Sequence, residues 1–523
     1  MNFALLVLLA ASGTAGPPPP TPPSRPRLIV VITVDQLRPD YFDRYRPQLN
    51  GGLAMLLKQG AYFADAYQDH AVTETAPGHS TILSGRWPAH TGIIRNFAGV
   101  NDNTPLLEVA GPGASPARFR GTAFFDWLKA AEPGARALSV SKKDRGAILP
   151  MGRAKEQVYW YQSGIFTTSR YYADSLPDWV RSFNARRIPF RAAGRSWTPL
   201  LPDSRYPEPD SVPYENLGSD VAFPHRLPDD SNLAAVAFGG VPTMDSLTLA
   251  FALDGTRVLQ LGSRGATDLL AVSLSTTDAV GHAFGPDSRE IHDQILRLDR
   301  YLGWFFQQLF VRYGKGSVVI VLTADHGVTP LPEHSRALGR AGAVRVIPDS
   351  LIRRVNTELD ARAGGGDWLS LESGMLLLER PQLAAAGVNV DSVVRDAAER
   401  LRALPGVARV DRPAELATKD TTDPVVRRWV HQVPPDAGVE LVVTLEPYCT
   451  WGIENLPIAM HGQPNDFDSH VPLIWWGRGF RTGVYRDRVS TVDIAPTLAR
   501  LLGFEPGERV DGRALSEVLQ PEN

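Results

Sequence analysis

Asp278 and His282 stand four residues apart, so one helical turn would put both side chains on one face, a spacing that suits two ligands of one metal ion. Asp325 and His326 are adjacent and are followed by Gly327, which permits the chain to turn and bring both to one centre. Asp35 closes the apolar run Leu28-Ile29-Val30-Val31-Ile32-Thr33-Val34, and His470 stands just before Val471-Pro472-Leu473-Ile474-Trp475-Trp476. Three carboxylates and three imidazoles make a set of oxygen and nitrogen ligands suited to zinc or a similar divalent ion. Each is commonplace alone. An Asp-x-x-x-His pair is more often on a helix surface, and an aspartate at a strand end often caps the next helix. Their shared position, each beside a separate apolar run, is what sets them apart.

A nucleophile candidate heads Thr75-Ala76-Pro77-Gly78-His79-Ser80-Thr81. Pro77 suits the first turn of a helix, which places Thr75 near a helix N-terminus, where free amides and the macrodipole favour an anion. A threonine hydroxyl attacks only when a metal or base ionises it; otherwise Thr75 is a helix cap. Lys143 and Arg145 alternate in Lys143-Asp144-Arg145, so an extended backbone aims both to one side. Together they offer a point charge and a bidentate fork for phosphoryl oxygens; alone they would read as a solvated basic turn. His70, His90, His225, His292, His334 and His431 read as ordinary surface or packing residues.

The elements that must position these groups are legible as apolar patterns. The run ending at Asp35, Leu269–Leu274 before Asp278, and Ser317–Leu322 before Asp325 read as buried parallel strands. Between the last two, Ile291, Ile295, Leu298, Leu302, Phe305, Phe306 and Leu309 recur at helical spacing, which completes a βαβ unit. Open α/β sheets place ligand sites at strand C-termini. Further short strands are expected at Ala137–Val140, Val439–Thr444 and Val471–Trp476, and helices at 121–129 and 393–404. The fold class is α/β, a mainly parallel central sheet flanked by helices, with two insertions forming a cap. Residues 151–265, rich in Trp, Tyr, Pro and Arg, are one insertion; residues 345–435, with the Gly364-Gly365-Gly366 turn, are the other. The core then comprises 27–150, 266–344 and 436–523. Trp160, Tyr161 and Tyr171 in the first insertion are packing residues before they are lining of a mouth.

Composition narrows the function. Among 523 residues, 54 Lys+Arg face 57 Asp+Glu for a net charge of −3, which is not the basic excess of a nucleic-acid binder. Hydrophobic residues at 43% exclude a disordered chain. The single cysteine, Cys449, excludes an intramolecular disulfide framework and a cysteine zinc cage, and reads as a small buried filler. Residues 1–15 carry an apolar run from Phe3 to Ala11 and the small-x-small site Gly13-Thr14-Ala15, the pattern of a secretory leader, although no Lys or Arg precedes it. The run is too short to span a bilayer, and residues 16–26 form a Pro-rich spacer. No later stretch has the length of a membrane span, so the expected location is periplasmic or secreted, with a monomer as the default state.

Taken together, these residues resemble the alkaline phosphatase superfamily, and within it the phosphate-irrepressible, threonine-nucleophile bacterial alkaline phosphatases of the PafA/PhoK type. The resemblance runs from Val31 to Gly512 and rests on VITVDQLRPDYF, TAPGHSTILSG, SKKDRGAILP, STTDAVGHAFGP, LTADHG, HGQPNDFDSHVPLI and the closing VSTVDIAPTLARLLGFEPGERVDGRAL. It implies two zinc ions, one surrounded by Asp35, Thr75, Asp325 and His326, the other held by Asp278, His282 and His470. It also implies attack by Thr75 on phosphorus through a covalent phosphothreonine. His461 falls at a position outside that ligand set. Asn96 matches the family's neutral phosphate-oxygen donor, and Lys143 and Arg145 match residues that mark monoesterases and are missing from nucleotide pyrophosphatase/phosphodiesterase relatives. The expectation is therefore an exported zinc-dependent phosphomonoesterase acting on small phosphate monoesters. The alternatives are a phosphodiesterase or nucleotide pyrophosphatase on the same fold and, more distantly, a non-catalytic metal- or phosphate-binding protein. A sulfatase would need Cys or Ser in place of Thr75.

Overall fold

The computed structural model describes residues 25–452 and 458–520; the leader and nearly all of the spacer lie outside these residues. Along the chain, the elements that matter for the site begin with β1 (Leu28–Val34), β2 (Ala61–Tyr67), α1 (Thr75–Ile82), β3 (Ala137–Ser141) and α2 (Asp144–Ile148). Next come β4 (Gln157–Gln162), β5 (Ile165–Thr167), α3 (Thr243–Val258), β6 (Asp268–Leu274), α4 (Thr276–Phe284), α5 (Arg289–Tyr313) and β7 (Val318–Thr323). The later part contributes β8 (Leu369–Glu372), β9 (Met375–Leu378), α6 (Val390–Arg402), β10 (Val407–Asp411), α7 (Pro424–Gln432), β11 (Val439–Leu445), β12 (His470–Gly477) and β13 (Gly483–Tyr485).

A ten-stranded sheet runs in the order β13-β2-β12-β7-β1-β6-β3-β4-β5, with the short strand Val489–Ser490 beside β2. Its centre, β7-β1-β6-β3-β4, is parallel, and β12 lies antiparallel between β7 and β2. β1, β6 and β7 are buried along their whole lengths, as the largely apolar strands of a parallel sheet covered on both faces must be. The helical stripe from Ile291 to Leu309 falls in α5, with all seven apolar residues buried. One apolar layer joins Val30 and Ile32 to α5 and α3; the other joins Ile29 and Val31 to Phe63, Phe124 and Trp475.

Two expectations about the insertions are corrected. The range 151–265 is not all cap: β4 and β5 extend the central sheet beyond β3, with Trp160 and Tyr161 buried. Val439–Leu445 does not return to the central sheet. It is β11 of a separate four-stranded sheet, β8-β9-β11-β10, because Leu441, Val443 and Leu445 pack on Leu376, Val394 and Leu401 of the second insertion. The central sheet resumes only at β12. Cys449 is buried in that same apolar cluster. Among the described residues, no single helix is long and apolar enough to cross a membrane.

Candidate active site

Four adjacent parallel strands deliver the chemistry at their C-terminal ends. Asp35 follows β1, Asp278 lies in the first turn of α4 after β6, Asp325-His326 follow β7, and Lys143 follows β3 at the start of α2. Thr75 opens α1, which is buried along its whole length. Gly78 is required there: a Cβ at that position would meet the Asp325 carbonyl at 2.1 Å, so only glycine lets α1 approach the β7 strand end. At Gly281 a Cβ would stand 1.7 Å from Gln36 Oε1, which seats α4 against the residue after Asp35.

Two buried clusters result. In the first, Asp278 Oδ1 lies 3.2 Å from His282 Nε2, 3.6 Å from His461 Nε2 and 4.0 Å from His326 Nε2. In the second, His79 lies between the carboxylates, its Nδ1 3.2 Å from Asp325 Oδ2 and its Nε2 3.7 Å from Asp35 Oδ1. Lys143 joins the two. Its Nζ is 2.7 Å from Asp35 Oδ2, 2.7 Å from Asp278 Oδ2, and donates to Thr75 Oγ1 at 3.1 Å. His326 Nε2 approaches the same hydroxyl at 3.5 Å.

His282, His326 and His461 share one orientation. Each directs Nδ1 at a backbone carbonyl: Ala459 at 2.6 Å, Gly327 at 2.9 Å and Thr73 at 2.7 Å. A carbonyl only accepts, so these Nδ1 atoms donate, which leaves each Nε2 with a lone pair toward the site. The Nε2 atoms of His282 and His461 face each other at 3.3 Å beside the Asp278 carboxylate. Two acceptors and an anion converge in this way around a cation. The buried Oδ2 atoms of Asp35 and Asp325 face the Lys143 ammonium at 2.7 Å and the His79 ring at 3.2 Å, respectively. Both features, with the Asp/His donor set, fit divalent metal ions.

Electrostatics follow from burial. Desolvation would raise the Asp278 pKa, but the Lys143 ammonium outweighs it and holds the carboxyl well below the usual range. Burial pushes His326 well below an ordinary imidazole, so its ring is neutral at physiological pH. Burial opposes the charge on Lys143, yet Asp278 and Asp35 raise its pKa and keep the ammonium.

The structure brings together Asp35, Thr75, Lys143, Asp278, His282, Asp325 and His326. It does not bring in His470. That ring opens β12 in register with Tyr67, stacks on it, and puts Nε2 2.8 Å from the Ala64 carbonyl. His461 takes the expected place of His470 in the Asp278 cluster. His79, four residues after Thr75 on the same helix face, donates from Nδ1 to the Thr75 carbonyl at 2.9 Å and so ties α1 to both carboxylates. Its helical spacing from Thr75 was the signal that could have found it; no spacing marked His461, which reaches the site from a loop. Asn96 accepts from Ala76 N at 2.8 Å through Oδ1, which leaves its amide N–H groups to donate. Arg145 Nη1 is 3.5 Å from Asp144, and its buried Nε has no hydrogen-bond partner.

A family model described as type I phosphodiesterase / nucleotide pyrophosphatase matches residues 29–404. The chain is 30% identical to alkaline phosphatase PhoV of Synechococcus elongatus over 95% of its length and 94% of that protein. The chain belongs to this family, on its PafA/PhoK alkaline phosphatase branch. Alkaline phosphatase PhoK of a Sphingomonas species is 32% identical over 94% of this chain and 91% of its own. The crystal structure of wild-type alkaline phosphatase PafA superposes with a TM-score of 0.86 at 28% identity, covering 97% of this chain and 100% of that one. The mainly parallel central sheet is part of the fold shared with that structure.

Proposed function

We propose that this member of the alkaline phosphatase family hydrolyses phosphate monoesters and releases inorganic phosphate, with Thr75 as nucleophile. Its enzyme class is that of a phosphoric monoester hydrolase. The observation that carries the reading is the Thr75 hydroxyl at the start of a buried helix, 3.1 Å from the Lys143 ammonium, between two Asp/His clusters. The Lys143 N–H bond and the helix terminus favour the alkoxide over the hydroxyl. Attack forms an Oγ–P bond and breaks the bond from phosphorus to the leaving oxygen, which departs as an alcohol after taking a proton. Water then attacks phosphorus, the Oγ–P bond breaks, and Thr75 is regenerated. Asn96, Lys143 and Arg145 bind the non-bridging oxygens, and three such donors suit the three oxygens of a monoester dianion.

Two zinc ions fit this donor set: Asp35, Thr75, Asp325 and His326, whose Nε2 is 3.5 Å from both Asp325 Oδ2 and Thr75 Oγ1, would hold one, and Asp278, His282 and His461 the other. When bound, zinc supplies Lewis-acid stabilisation to the attacking and leaving oxygens. His79 stays behind the carboxylates and orients Asp35 and Asp325. We place the enzyme in the periplasm or outside the cell, on the leader pattern of residues 1–15.

The test is kcat/KM for para-nitrophenyl phosphate and bis-para-nitrophenyl phosphate, with zinc supplied and then chelated. Zinc-dependent preference for the monoester by at least about a hundredfold is expected. Preference for the diester would keep the site and overturn the roles of Lys143 and Arg145; no turnover of either would overturn the enzyme.

A further inference from the structure

The second insertion touches the two segments that carry Thr75 and Asn96, and it does so from two sides. Behind them, the buried Gln432 side chain at the end of α7 accepts from Val72 N at 2.9 Å and donates to the Ile94 carbonyl at 2.8 Å. One amide thus joins the segment before Thr75 to the segment before Asn96. Ala71, Val72 and Ile94 also pack with Met375, Val426, Trp429 and Val442 of the insertion. In front, Glu74 precedes the nucleophile. Its Oε2 accepts from Asn96 N at 2.8 Å and its Oε1 accepts from the Ser373 hydroxyl.

Ser373 sits in a two-residue hairpin turn between β8 and β9. Both turn residues have positive φ, 50° at Ser373 and 76° at Gly374, as a tight hairpin demands. On the same turn, Glu372 pairs with Arg95 at 2.9 Å. The hairpin therefore holds Arg95 directly and Asn96 through Glu74.

A carboxylate one residue from the nucleophile would repel a phosphate dianion if it faced the substrate. Here each of its oxygens accepts from a protein donor, Asn96 N–H or the Ser373 hydroxyl, so the charge is compensated within the protein. Asn96 Oδ1 is committed to Ala76 N–H, so the place of its donor N–H groups depends on where the 94–96 backbone is held. We infer that Glu74 is a positioning residue for Asn96, and that the second insertion sets the position of this phosphoryl-oxygen donor through Ser373 and Gln432. The inference rests on the proposed role of Asn96.

The experiment is a double-mutant cycle on the zinc-loaded enzyme with para-nitrophenyl phosphate, with thermal midpoints measured in parallel. Ser373→Ala removes one hydroxyl at a turn and should lower kcat/KM about five- to tenfold, largely in KM, with an unchanged midpoint; Asn96→Ala should lose about thirtyfold or more. The double variant should be no worse than Asn96→Ala alone. Glu74→Gln should retain more activity than Glu74→Ala, because its amide still accepts from Asn96 N–H and donates to the Ser373 oxygen. Multiplying losses in the double variant, or a Ser373→Ala enzyme within twofold of wild type, would overturn the positioning role while leaving the function intact. An Asn96→Ala enzyme with wild-type kinetics would overturn the functional reading of Asn96, and the positioning role with it.

Discussion

The two insertions differ in how they join the molecule. The first is fused to the core: β4 and β5 lengthen the central sheet, and Tyr159, Phe166, Phe183, Trp197, Phe238 and Phe251 share one apolar layer with Leu28, Val30 and α5. The second has its own four-stranded sheet and its own apolar cluster. It meets the core at a small apolar patch and a set of polar anchors, chief among them Asp69, Gln432 and Glu74. An insertion merged into the core adds apolar burial but has little freedom to tune a neighbouring site. One that docks by directional polar contacts sets positions, and this one docks on the segment that precedes Thr75 and the segment that carries Asn96.

The largest expected effect tests the centre that both insertions serve. Thr75→Ala deletes the proposed nucleophile and should lower kcat by at least about a thousandfold with an unchanged thermal midpoint, read by steady-state kinetics and calorimetry. A loss confined to KM would remove Thr75 from the reaction.

Asp69→Asn tests the docked insertion. The Asp69 carboxylate is buried and accepts from Arg427 at 2.7 Å, with Arg428 and Arg488 also within reach. Its removal takes the anion from the partly exposed Arg427 and Arg488, while the buried Arg428 keeps Asp466 at 2.7 Å, so a loss of about 1–2 kcal/mol is expected, seen as earlier unfolding. Burial would raise this carboxyl, but Arg427 and Arg428 outweigh it and lower the pKa beneath its ordinary 3.8. A lowered carboxyl stabilises the fold above that ordinary value, and the stabilisation disappears as pH falls through the folded-state value. The wild type should therefore exceed Asp69→Asn by a constant margin from about pH 5 upward and lose that margin in strong acid.

Glu215→Gln tests the fused insertion with the opposite sign. Burial, then the neighbouring carboxylates Glu290, Asp210 and Asp287, push Glu215 up to about 9 from 4.5. A raised carboxyl stabilises the fold below its unfolded pKa, and that stability is lost as pH rises toward the folded value. Glutamine keeps the neutral shape, so Glu215→Gln should unfold about 1–3 °C later at pH 8.5 and match wild type near pH 5. An equal effect at both pH values would mean that packing, not ionisation, governs this loop. The smallest effect belongs to Phe97, 82% exposed beside Asn96. Phe97→Ala should change kcat/KM less than about twofold and leave the midpoint within about a degree, because the insertion grips the backbone of this loop and not that ring.

Much of this was legible in the residues. β1 and β7 are nearly continuous β-branched runs and β6 is a Leu-rich apolar one, the patterns of strands buried on both faces. Asp35, Asp325 and Asp278 come one, two and four residues after those strands end, so a parallel sheet brings them to one edge without further information. The α5 stripe and the start of α1 at Thr75 were equally local. His470 and His461 mark the limit: they are nine residues apart in one segment, both beside plausible motifs. Local pattern cannot choose between them, because the choice depends on where β12 begins and on its register against Tyr67. Val439–Leu445 is a similar case, since an apolar strand does not state which sheet it joins.

The sequence by itself determined the sheet centre, the row of carboxylates at its strand ends, the threonine at a helix start, and the Lys-Asp-Arg run, since each is encoded within a few neighbouring residues. Only the tertiary structure decided that His461 completes the Asp278 cluster, that His79 stands behind Asp35 and Asp325, and that Glu74, Ser373 and Gln432 connect a distant insertion to Asn96. Those contacts join residues up to several hundred positions apart. Their geometry is set by which buried polar groups find partners when the whole chain packs, and no local period records that.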